Sequence, residues 1–155
     1  MTQLGDMSRG GNPHTLYTRW LEELWNGDLD RVGRVAEDLV TRDFLGHWPG
    51  RPALVRGAHA LAETVREGRR PFEGLRFHAE VGPIVEGQLI CARWRAHGTY
   101  AGDPALPGVR AEPGTVVEFH GHDILRHSGG RLAEYWVISE TEQLMAQLGA
   151  GGQGR

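Results

Sequence analysis

TVVEFHGHDILRHSGGRLAEYWVI, residues 115–138, is the stretch that decides the fold. It reads as two strands of a hairpin joined by the tight turn Ser128-Gly129-Gly130. Side chains along a strand alternate between two faces. Val117, Phe119, Gly121, Asp123 and Leu125 therefore share one face of the first strand. Val116, Glu118, His120, His122, Ile124 and Arg126 share the other. The first face is apolar except for Asp123, so it turns inward and carries one carboxyl group with it. A buried carboxylate costs several kcal/mol unless it is hydrogen-bonded or its pKa rises. Two readings follow: Asp123 bonds a backbone group or a Trp N–H and fixes the fold, or it is a general acid or base tuned towards neutral pH. In the second strand, Leu132, Glu134, Trp136 and Ile138 face one way and Ala133, Tyr135 and Val137 the other. Both sets are apolar enough that alternation does not choose between them.

Upstream, the same period continues. Leu75, Phe77, Ala79 and Val81 alternate with Arg76, His78 and Glu80, and a turn at Glu86-Gly87 leads into Leu89–Tyr100. There, Ile90, Ala92, Trp94, Ala96, Gly98 and Tyr100 form the inward face. Trp94 and Tyr100 supply aromatic walls, and the Tyr100 hydroxyl either reaches the surface or donates to a ligand oxygen. Residues 101–114 hold three Pro and three Gly and read as a long loop. Before the strands the period is helical. Helices are expected at His14–Asn26, at Asp28–Val40 and near Ala58–Glu67, with a last one at Glu140–Leu148. Between the second and third, Phe44–Gly50 is extended and holds His47 and Trp48. His47 is either a plain hydrogen-bonding residue or a proton donor at a pocket mouth.

Helices followed by a four-stranded meander give an α+β fold, its sheet packed on the helices by one face. The expected organisation is a flexible leader (1–13), a single domain (14–149) and a flexible tail (150–155).

A chain of 155 residues with 39% hydrophobic and 24% charged residues folds as an ordinary globular domain. The net charge of −3 gives no electrostatic case for nucleic acid or an anionic membrane. No apolar run approaches spanning length, no signal-peptide pattern opens the chain, and Cys91 stands alone. The default location is the cytoplasm. Five Trp in so small a domain either fill the core or line a cavity for a flat organic ligand. The candidate lining is Trp20, Trp48, Trp94, Phe119, Leu125 and Trp136.

Other chemistry finds little support. His120 and His122 have metal-ligand spacing beside Glu118, but on the outer face and without a completing pattern. A polar, pH-sensitive contact between two copies suits that face better. No phosphate loop, nucleophile elbow or cysteine–histidine nucleophile is present.

Several runs carry a resemblance. Phe119–Arg126, Gly130–Trp136 and Gln147-Leu148-Gly149 resemble the C-terminal signature of SnoaL-like polyketide cyclases. Leu24–Asp30, Asp43-Phe44 with His47, and Val55-Arg56-Gly57 are similar to earlier pieces of that family. The resemblance spans roughly 15–149. It implies a cone-shaped α+β barrel, the fold of nuclear transport factor two and ketosteroid isomerase, with an apolar pocket between a curved sheet and the helices. It implies an Asp, here Asp123, acting as acid/base in an intramolecular aldol closure without metal or cofactor, and a His at His47. Many relatives carry Gly-Thr-His where this chain has Gly98-Thr99-Tyr100, so Tyr100 replaces that His or the chemistry differs. The expected function is thus a cofactor-free cyclase acting on a small apolar or polyketide-derived substrate, as a homodimer or larger homo-oligomer. Epoxide opening, isomerisation or dehydration on the same fold is the enzymatic alternative. A non-catalytic ligand-binding or dimerisation module is the other.

Overall fold

The computed structural model describes residues 11–102, 106 and 108–149. Most of the expected leader, all of the tail and part of the 101–114 loop lie outside the described residues. Helix α1 (Pro13–Arg19) is capped by Asn12, whose Oδ1 accepts from the Thr15 N–H at 2.9 Å. It runs on as a π-helical turn, Trp20–Trp25, closed by the Asn26 N–H on the Leu21 carbonyl five residues earlier. A 3₁₀ turn (Leu29–Arg31) capped by Asp28 leads into α2 (Val32–Leu39). The helix ends one residue before the expected Val40, because β1 (Val40–His47) starts there. Most of β1 escaped the alternation reading, since Thr41, Arg42 and Asp43 look like a loop. Strand β2 (Val55–Arg56) and helix α3 (Gly57–Arg69) follow. Then come β3 (Phe72–Glu86), β4 (Leu89–Tyr100), β5 (Val116–Ser128), β6 (Arg131–Ser139) and α4 (Thr141–Gln147).

The four helices pack on one six-stranded sheet of order β2-β1-β6-β5-β4-β3. β3 to β6 form the expected antiparallel meander. The sheet as a whole is mixed, because β1 lies parallel to β6. It is not closed: β2 and β3 are its edges. Three register shifts along β3 against β4 bend the long strands around the helices, as bulges do. Asn26 pins the end of the π-helical turn to β3. Its Nδ2 donates to the Phe77 carbonyl at 2.8 Å and its Oδ1 accepts from the Phe77 N–H at 2.7 Å.

The expected cone-shaped barrel is thus an open, curved sheet, and the core lies between the helices and its inner face. Trp20, Leu24, Val32, Leu39, Phe44, Leu61, Ile90, Leu125 and Leu132 are among its fully buried side chains. No described helix is long and apolar enough to cross a membrane.

Candidate active site

The β5 alternation puts Asp123 inside: it is 2% exposed and, with Thr64, one of two buried polar residues among those described. Three neutral donors hold it. The Tyr135 hydroxyl donates to Oδ1 at 2.7 Å, the Trp94 indole N–H to Oδ1 at 2.9 Å, and the Tyr17 hydroxyl to Oδ2 at 2.9 Å. Among the described residues no cation touches it. Burial pushes the carboxyl up to about 6, and the bonds from Tyr135, Tyr17 and Trp94 hold it from rising further. Burial, and then Asp123 itself, push both tyrosines above the ordinary phenol range. They stay protonated and keep donating wherever Asp123 titrates.

The donors come from three elements. Trp94 stands directly across from Gly121 in the β4–β5 pair, and its ring occupies the space that any Cβ at 121 would need. Without a side chain at 121 the indole can reach two residue pairs along, on the same face, to Asp123. Tyr17 comes from α1, on the same helix face as Trp20 and Leu21. Tyr135 comes from β6, and a bulge decides that it faces inward. The turn pairs Ser128 with Arg131 and His127 with Leu132; beyond it, Arg126 pairs with Glu134 and Asp123 with Val137. Ala133 is the extra residue. Without it Asp123 would oppose Trp136, and a one-residue slip exchanges the faces of a strand.

A cavity of about 200 Å³ opens beside Asp123. Its walls are aromatic: Trp20, Trp25, Trp48, Phe77, Trp94 and Phe119 among others, with Tyr135 in the floor. Ser139, Thr141 and Leu144 complete it at the start of α4. Rings pack edge to face around the carboxyl: Phe77 on Trp94 at 5.0 Å, and Phe119 on Trp94 at 5.8 Å. Among the described lining residues there is no Arg, Lys or His. The indole N–H groups of Trp20 and Trp25 are buried without a hydrogen-bond partner, a condition that costs about 1–3 kcal/mol each in a dry site.

The structure thus gathers Asp123, Trp20, Trp48, Trp94 and Phe119 at one cavity. It does not bring the rest there. Leu125 points inward but is fully buried in the core, away from the cavity lining. Tyr100 is buried opposite Phe72 near the end of β4 and is not part of the lining. His47 and Trp136 lie on the outer side of the sheet. They are register partners, stacked at 5.2 Å with their planes 1° apart, and His47 Nε2 donates to Glu134 Oε2 at 2.7 Å. That bond is the main cause holding the Glu134 carboxyl below its ordinary value. The β6 bulge is the reason Trp136 faces out. Its neighbour Tyr135 takes the inward place that alternation left open.

On the outer face, His120 Nδ1 meets Gln143 Oε1 at 3.1 Å, and Arg93 bridges Glu80 and Glu140 at 2.8 and 2.9 Å. No group of three His, Cys, Asp or Glu among the described residues is placed to hold a metal. Alternation could not have found Tyr17 or Tyr135 as partners of Asp123. The available signal was two phenols in otherwise apolar stretches, each a buried donor in need of an acceptor.

The chain resembles known proteins in fold and in sequence. It is similar to IdmH of Streptomyces antibioticus, a candidate polyketide cyclase, with TM-score 0.75 and 23% identity over 90% of this chain and 100% of that one. A candidate SnoaL-like polyketide cyclase from Jannaschia sp. CCS1 gives TM-score 0.75 and 19% identity, over 92% and 98% of the two chains. TsrD of Streptomyces laurentii gives 0.68 and 22%, over 88% and 94%. At these identities the likeness concerns the fold. No curated protein matches the sequence. The family model of the SnoaL-like polyketide cyclases matches residues 15–148, nearly the whole described chain, and the chain belongs to that family.

Proposed function

We propose that the protein is a cofactor-independent cyclase in which Asp123 moves the proton of an intramolecular aldol closure. The observation that supports this is a buried carboxyl at the wall of an aromatic cavity, held by three neutral donors and, among the described residues, by no cation. A cation beside the carboxyl would hold its pKa low and leave it a poor base. Neutral donors instead fix its direction while burial leaves its pKa near 6, close to working pH.

In this reading the ionised Asp123 takes a proton from a carbon next to a ketone. The resulting enolate carbon attacks a second carbonyl of the same molecule, forming the C–C bond. The proton on Asp123 then returns to the new alkoxide, so the carboxylate is restored and no cofactor is consumed. The indole N–H groups of Trp20 and Trp25 are buried cavity-wall donors without a partner. Turned towards the substrate, they would meet the enolate oxygen. Neither His47 nor Tyr100 is given a part, because neither reaches this cavity.

The outer sheet face is assigned to a second copy of the chain. Ile124 and Ile138 are exposed there, 42% and 62%. Arg93, Arg95 and Arg126 lie among Glu80, Glu118 and Glu134, a mixture of signs that can pair with itself across a two-fold axis.

Incubation with a neutral aryl triketone able to close a six-membered ring tests the catalytic reading. Ring closure by the wild type, absent in Asp123→Asn, supports it. Equal closure by both contradicts it.

A further inference from the structure

The cavity beside Asp123 is small. An apolar cavity of about 150 Å³ holds a benzene ring, and drug-sized ligands occupy roughly 300–1,000 Å³. At about 200 Å³, this one has room for one or two fused rings. Its described lining offers no basic group to an anion and no acid to a cation other than the buried Asp123. Ligands that fit are therefore neutral.

One side chain closes the cavity towards a larger space. On the outer side of the sheet a groove of about 520 Å³ is lined by His47, Pro52, Leu54, Ile124 and Ile138 among others. Two residues line both spaces, Trp48 and Val137. Val137 is a strand residue with a short side chain. Trp48 is the wall. Its ring leans on Tyr135 at 4.9 Å and crosses over Gly46, where any Cβ would collide with it. It stands at the end of β1, just where the chain leaves the sheet for the Pro49–Leu54 loop.

We infer that Trp48 is a specificity-determining partition, which limits the cavity to neutral carbonyl compounds of one or two fused rings and excludes three- and four-ring substrates. Shortening Trp48 joins the inner cavity to the outer groove and lengthens the binding space along one axis. The inference rests on the cyclase reading only in taking the cavity beside Asp123 as the place where substrate binds.

Binding, rather than turnover, tests it. The probes are 2-tetralone, with two rings, and androst-4-ene-3,17-dione, with four, both neutral ketones. Their affinities are read from quenching of tryptophan fluorescence in wild type, Trp48→Phe, Trp48→Ala and Asp123→Asn. The wild type should bind the two-ring ketone at least about tenfold more tightly than the four-ring one. Trp48→Ala should shrink that ratio about tenfold or reverse it, with Trp48→Phe in between. Trp48→Phe, a smaller change, keeps the test open should Trp48→Ala fail to fold. Equal wild-type affinities, or an unchanged ratio in a Trp48 variant with wild-type circular dichroism, overturn the inference. Asp123→Asn separates the two claims. If it keeps size selection but also keeps ring closure, the chemistry is wrong and the partition stands. If it loses closure while the wild type binds both ketones alike, the chemistry stands and the partition is wrong.

Discussion

Gly121 and Trp94 face each other across β4 and β5, and the Trp94 ring fills the place of the missing side chain. The consequence lies two residue pairs away, where the indole N–H donates to Asp123 Oδ1 at 2.9 Å. Gly121→Ala would force the ring aside. The expected cost is about 1–3 kcal/mol, typical of overpacking a well-filled core. Loss of the indole donor should also raise the Asp123 pKa, because that bond favours the charged form. Thermal unfolding measures the first effect. The midpoint of the pH–rate profile, moved to higher pH, measures the second.

The two tyrosines give a graded version of the same experiment. Tyr135→Phe and Tyr17→Phe each delete one donor to Asp123 and leave the ring in place. Each should move the midpoint of the pH–rate profile upwards. Tyr135→Phe should move it further, since its bond is the shorter, 2.7 against 2.9 Å. Either change should cost about 1–3 kcal/mol, the penalty for a buried acceptor that loses a partner. Unaltered midpoints in both variants would mean that the tyrosines do not tune Asp123.

Stability should depend on pH through Asp123 in a set direction. Its pKa rises from the ordinary 3.8 to about 6 on folding. Below about pH 4 the carboxyl is neutral in folded and unfolded chains alike. Between there and about 6 the folded chain holds a proton that the unfolded chain releases, so stability falls as pH rises. The loss attributable to this group is about 3 kcal/mol across that window, at roughly 1.4 kcal/mol per pKa unit. Denaturant unfolding at pH 4 and pH 7, in wild type and Asp123→Asn, isolates it. The wild type should lose more stability than the variant on going to the higher pH.

His47→Gln should leave turnover within about twofold, the scatter expected of a surface change away from the site. The His47–Glu134 pair is part-exposed and lies across the sheet from the cavity. A hundredfold loss on that substitution would place His47 in the chemistry after all. Sedimentation of the wild type against Ile138→Glu tests the outer face. A dimer that dissociates on this change fits the assignment, and a wild-type monomer excludes it.

The sequence was most legible where strands run without interruption. Asp123 could be placed inside because β5 keeps strict alternation from Val117 to Leu125. The same reasoning failed to choose a face for β6, because Ala133 bulges and changes the phase between the turn and Tyr135. Nothing in the residue types near Ala133 announces a bulge. Trp20 and Trp25 are an analogous case. At α-helical spacing, positions five apart point away from each other, and only the π-helical turn swings both indoles onto the cavity. The parallel pairing of β1 with β6 was out of reach for another reason. A polar run such as Thr41-Arg42-Asp43 carries no period, and its place beside β6 is set by the tertiary fold. Family motifs and alternation converged on the acid. A Trp N–H was among the partners the sequence allowed for it, and Trp94 is that donor; the two phenols emerged only from the packing of distant segments.

The most direct test of Asp123 as the proton-moving group needs no knowledge of the natural substrate. 2-Tetralone, which fits the cavity by size, exchanges its α-protons slowly in neutral D₂O, and proton NMR follows the loss of signal. The wild type should accelerate exchange over buffer, with a rate that climbs through about pH 6, where Asp123 ionises. Asp123→Asn should lose about a hundredfold or more of that acceleration, the contribution usual for a general base. Exchange by Asp123→Asn at the wild-type rate would contradict an acid/base role for Asp123.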